Sequence, residues 1–151
     1  MDRFQRLMYW LAWFGIMPFI ITLSLSIRGQ SLFDNRGEQL FIIYSVIICS
    51  FMAGSLWGQA VYSENQSRSI IKVLASNAIA LLVFGGLLAG LADHQMLVLL
   101  AIGYLATLII ECINTEPLAD GRVKSYLSMR AIVTLAVFIL HCFLYASLKI
   151  T

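Results

Sequence analysis

Along the chain, apolar residues fall into five long runs divided by short polar stretches. The runs cover residues 7–27, 40–62, 70–91, 96–114 and 129–148. Each is close to the roughly 20 residues that a helix needs to cross the hydrocarbon core of a bilayer. The pattern predicts an all-α, polytopic membrane protein: a compact bundle of five transmembrane helices forming a single integral membrane domain over residues 1–151. The first run is longer than the apolar region of a secretory signal, usually about 7–15 residues, and has Tyr9, Trp10 and Trp13 at its entry. It reads as a retained helix whose rings sit at the membrane interface. Pro18 removes a backbone donor near its middle and predicts a kink.

The polar breaks are short. Residues 28–39 carry turn chemistry at Asp34-Asn35 and Arg36-Gly37. Residues 63–69 form a second connection, and Lys72 just beyond it is placed to snorkel toward headgroups. Residues 92–95 are a tight turn that forces the third and fourth helices into an antiparallel hairpin. The longest connection, residues 115–128, is punctuated by Pro117, Asp120 and Gly121. None of these stretches is long enough to fold alone, so any site must be built from the helices or their short connections.

Composition supports this class. Sixty per cent of the residues are hydrophobic and 12% are charged, against about a quarter charged in soluble domains. A soluble fold of this length has too little interior for so much apolar surface, so the surplus must face the lipid bilayer. The net charge of +2 and the scattered basic residues point to no nucleic-acid partner. Seven of the ten Lys and Arg fall at the N-terminus and in or just beside the second and fourth connections, Lys72 and Arg130 being the two that lie beside them. Counting them predicts a cytoplasmic N-terminus and an outer C-terminus. The three cysteines, Cys49, Cys112 and Cys142, lie inside apolar runs and read as small apolar fillers.

Small residues at four-residue spacing mark two helices. Ser50, Gly54 and Gly58 form a stripe in the second, and Gly86 and Gly90 form another in the third. Such stripes let helix backbones approach closely. With five helices to pack, the stripes predict contacts within one subunit. Homo-oligomerisation is the less favoured use of the same feature.

Polar residues inside the runs suggest a second feature. Trp57, Gln59, Asn77, Glu111 and Arg130 share one predicted depth, toward the cytoplasmic side. An unpaired charge in hydrocarbon costs on the order of 3 kcal/mol at the centre and less near the ends, so Glu111 is expected to pair, with Arg130 the best-placed cation. Trp57 either anchors at the interface or donates its indole N–H within the group. His94 and His141 are the only histidines, and their loosely matched depths make no metal or haem site; no cofactor is expected. Catalytic motifs with recognisable spacing are absent, so no enzyme activity is expected.

Three segments resemble one family. Gly15-Ile16-Met17-Pro18-Phe19 is similar to its G-x-x-P-F pattern. Residues 44–58 resemble its strongest signature, Y-[GS]-x-x-I-x-S-F-x-G-G-x-x-W-G, with Ala53 in place of the first glycine. Tyr126 and Arg130 resemble its closing W-Y-x-x-x-R element, with Lys124-Ser125 in place of Pro-Trp. The family is that of the small bacterial membrane proteins of unknown function related to mitochondrial transmembrane protein sixty-nine. The resemblance implies a multi-helix inner-membrane protein and brings no activity or cofactor. The leading expectation is an accessory, assembly or scaffold component of a membrane complex, with another membrane-protein subunit as partner. The alternatives are a small-solute or proton-linked transporter using Glu111, or a lipid- or quinone-binding protein with a groove beside Gly54 and Gly58.

Overall fold

A computed structural model describes residues 3–115 and 121–150. Pro117 and Asp120, expected to punctuate the fourth connection, lie outside the described residues. The described chain forms α1 (Arg3–Ile27), β1 (Ser31–Leu32), β2 (Asn35–Arg36), α2 (Gly37–Val61), α3 (Gln66–Leu88), α4 (Asp93–Ile113) and α5 (Gly121–Ile150). All five helices are long and apolar enough to cross a membrane. The protein is therefore an all-α, multi-pass membrane protein, apart from one small ribbon.

Several helices extend past the apolar runs. The one expected from residue 129 already starts at Gly121, because polar residues outside hydrocarbon are as able to be helical as apolar ones inside it. Turns built from recognisable residues end two of the others. In α1, Gly29 adopts φ +63° and donates to the Ser26 carbonyl, while Gln30 donates to that of Leu25. In α3, Gly90 (φ +63°) donates to Leu87, and Leu91 donates to Gly86. Both are paired bonds around a left-handed glycine that satisfy terminal carbonyls. At the start of α3, the Asn65 side chain accepts from the Arg68 N–H, an N-cap.

The helices sort into two compact units. One unit holds α1, α2 through Tyr44, and α5. Its core is a group of edge-on rings: Phe19 lies 5.2 Å from Phe41 and 4.8 Å from Tyr44, and His141 lies 4.9 Å from Phe41, centroid to centroid. His141 is buried here and bonds through Nδ1 to the Val137 carbonyl of its own helix, at 2.8 Å. The helix of α1 runs through Pro18 without a break. Tyr44 donates its hydroxyl to the Gly15 carbonyl at 2.9 Å, next to the carbonyl that the missing proline N–H leaves open. At the far end of α1, Tyr9 approaches Ser125 of α5 at 3.4 Å.

In the same unit, β1 pairs antiparallel with β2 across the two residues Phe33 and Asp34. Both have positive φ, 51° and 59°, as a type I′ hairpin turn requires. The turn thus falls one residue before the expected Asp34-Asn35, and Asn35 instead joins β2 and bonds back to the Phe33 carbonyl. Asp tolerates this conformation, whereas a β-carbon in the left-handed region otherwise costs about 1–2 kcal/mol. Phe33 is 82% exposed, so little packing offsets that strain. Phe33→Asn should therefore stabilise the detergent-solubilised protein by about 1 kcal/mol. A lower thermal midpoint for the variant would show that the ring contributes more than its backbone costs.

The other unit holds α2 from Ser45, together with α3 and α4. The predicted hairpin of α3 and α4 is present. Its seam is formed by Lys72, Ser76, Ile79, Val83 and Gly86 on α3, facing a buried stripe from Met96 to Glu111 on α4. On α2, Cys49, Ala53, Leu56 and Ala60 are buried, and Cys49 lies against Gly103 of α4. Tyr104 donates to the Ser45 carbonyl at 2.9 Å, tying α4 to α2.

Candidate functional site

Two features of the second unit carry the expected site residues: a buried polar group and an exposed stripe on α2. In the polar group, the Gln59 amide donates to the Glu111 carboxylate. Glu111 is completely buried in the last turns of α4. Around it the helix end is satisfied locally, with Thr115 donating to the Glu111 carbonyl at 2.7 Å and Asn114 to that of Ile110 at 2.8 Å.

Two further members of the expected cluster, Asn77 and Trp57, stand outside this group. Asn77 is on the exposed side of α3 and bonds to the Val73 carbonyl one turn back, at 2.8 Å. An amide that finds its acceptor on its own helix needs no partner from a neighbour. Trp57 is 48% exposed, which suits an interface anchor and not a donor inside the protein. Arg130 belongs to the first unit, where its guanidinium lies over the Tyr126 ring, 5.7 Å from the centroid. For the Glu111 carboxylate the described hydrogen bond comes from Gln59.

Lys72 departs from expectation in the other direction. Expected to snorkel, it is only 5% exposed. It opens the buried stripe of α3, so its spacing of four from Ser76 is the sequence signal for its burial. The antiparallel hairpin brings the start of α3 and the end of α4 to one level. Lys72, Glu111 and Gln59 thus lie at the same end of this unit, an amine, a carboxylate and an amide below a mostly apolar seam. Such a group can hold helices in one register or hold a proton, because ionisable groups in hydrocarbon need polar partners.

The glycine stripes also differ from expectation. Ser50, Gly54 and Gly58 are exposed, and a β-carbon added at Gly54 or Gly58 would meet nothing within 4 Å. They are not the packing face of α2 in this subunit. The buried stripe runs one residue over, through Ala53 and Ala60, and α4 makes its close approach at Gly103, where a β-carbon would lie 3.0 Å from Cys49 Sγ. The small-x-x-x-small spacing of Gly103 and Thr107 is the sequence signal for that contact. In α3, Gly86 does pack in the seam, 2.7 Å from Leu99 Cδ2 for an added β-carbon. Its expected companion Gly90 instead ends the helix.

Five span-length helices among the described residues define a polytopic helical membrane protein. The chain belongs to the family described as a protein of unknown function (DUF3429), whose model matches residues 4–146. The resemblance to an uncharacterised family thus holds over nearly the whole chain. No curated protein and no solved structure matches it.

Proposed function

We propose that this protein is a non-enzymatic accessory or assembly subunit of a membrane complex. Its docking face is the outward stripe of α2. The observation that carries this reading is the exposure of Ser50, Gly54 and Gly58 together, beside the exposed rings of Phe51 and Trp57. Bare backbone between large side chains is the surface on which a second transmembrane helix packs most closely, and lipid tails gain nothing comparable from it. The partner is thus a transmembrane helix of another membrane protein. In this reading the protein sits in a bacterial inner membrane with its N-terminus in the cytoplasm, in keeping with the placement of its Lys and Arg.

Transport through Glu111 has less support, since Asn77 does not share its surroundings and Glu111 has no exposed surface. A lipid or quinone on the glycine face competes more directly, and one experiment separates them. Gly54→Leu and Gly58→Leu have room for their side chains, so the isolated variants should keep their thermal midpoints, with a helix-propensity gain of up to about 1 kcal/mol. Native mass spectrometry of gently extracted membranes should show a protein partner with the natural chain and lose it in both variants. Loss of a bound lipid or quinone, with no protein partner in either sample, would overturn the subunit reading.

A further inference from the structure

The first unit contains a cleft that none of the foregoing uses. It has a volume of about 570 Å³, within the range of about 300–1,000 Å³ typical of small-ligand sites. Ser26 and Ile27 at the end of α1, Arg36 and Glu38 at the start of α2, and Ser147 and Leu148 near the end of α5 form its walls. All six stand at the ends of candidate membrane spans. The cleft therefore opens at headgroup depth, and its apolar walls, Ile27 and Leu148, border the hydrocarbon.

Its charges are organised. Glu38 is buried, with one carboxylate oxygen 3.1 Å from Arg36 Nη1 and the other accepting from Ser26 Oγ at 3.2 Å. A carboxylate offers about four acceptor positions, so Glu38 can take a further donor. The Arg36 side chain is 60% exposed beside the opening, where its guanidinium faces anything that enters. One cation and one anion leave the cleft neutral, and the two sit in adjacent positions.

We propose that this cleft binds a zwitterionic phospholipid headgroup bearing a primary ammonium, of the phosphatidylethanolamine type. Its phosphate meets Arg36, since guanidinium pairs well with phosphate oxygens. Its ammonium donates toward Glu38 and the hydroxyls of Ser26 and Ser147. Its acyl chains leave past Ile27 and Leu148 into the bilayer. An anionic headgroup fits less well, because Glu38 repels it and it brings no cation in exchange. A quaternary ammonium has no N–H to donate and is recognised by aromatic faces, of which the described lining has none.

The test is native mass spectrometry of the full protein in mild detergent with an equimolar mixture of phosphatidylethanolamine, phosphatidylcholine and phosphatidylglycerol of matched chains. Phosphatidylethanolamine should be retained about tenfold more than either competitor, as one charge-assisted hydrogen bond would provide. Glu38→Gln should bring the three lipids to near parity. Arg36→Gln, at an exposed position that leaves the core untouched, should lower retention of all three. Equal retention by the natural protein, or a preference that survives both substitutions, would overturn the proposal. Free phosphoethanolamine at the lipid's concentration should not displace it. Displacement would show that the site serves a soluble ligand and not a membrane lipid.

Discussion

Gly37→Ala should destabilise the protein by at least about 3 kcal/mol, the upper end of what overpacking costs. Gly37 begins α2 directly against the end of α1. A β-carbon there would lie 2.6 Å from Ser26 Cα and 2.7 Å from the Leu25 carbonyl carbon, and closer still to the Ser26 nitrogen. These are backbone atoms of a helix whose last turn is closed by the Gly29 and Gln30 hydrogen bonds. No rotamer change relieves them, so one helix must move. At Gly86 the nearest atoms belong to the Leu99, Leu91 and Met96 side chains, which can turn aside. Unfolding of Gly37→Ala and Gly86→Ala in the same detergent measures the difference directly. Equal midpoints would show that the α1–α2 connection can open without cost.

Gln59→Leu should cost about 1–3 kcal/mol, the penalty for removing one donor from a buried carboxylate. Glu111→Leu removes the carboxylate and leaves the Gln59 amide without its acceptor. The double substitution should cost less than the sum of the two, with a coupling of at least about 1 kcal/mol, because each single change already removes the hydrogen bond the two side chains share. Additive losses would show that the two side chains do not depend on each other. Buried pairs of this kind are expensive to break and cheap to replace together. That asymmetry gives the group a positioning role: it penalises any slide of α4 past α2 that separates Gln59 from Glu111.

Much of the architecture is legible in the amino-acid sequence. Hydrocarbon thickness sets the length of a spanning helix, and backbone groups in lipid must be satisfied within the helix. Length and apolarity alone therefore locate all five spans and the α3–α4 hairpin. Helix ends are less legible. Helices continue through polar turns, as α5 does from Gly121, and no hydropathy change marks where they begin. In the polar group, Glu111 stands out as a residue that must have a partner, but its pattern does not say which partner. Several donors share its depth, and the rotation of each helix decides which one reaches it.

The faces are the least legible part. In water a helix shows its inside by its apolar stripe, but in lipid both sides of a helix are apolar. Ser50-Gly54-Gly58 and Cys49-Ala53-Leu56-Ala60 are stripes one residue apart, about 100° around a helix of 3.6 residues per turn, and both are small or apolar. The sequence by itself determined that this is a five-span helical membrane protein with a carboxylate, Glu111, that needs a polar partner. Only the tertiary structure decided that Ala53 is buried while Gly54 and Gly58 face outward, that Lys72 is buried, and that Arg36 and Glu38 share a cleft. Each of those depends on how far a helix is rotated about its axis, which contacts between helices select and a uniformly apolar sequence leaves open.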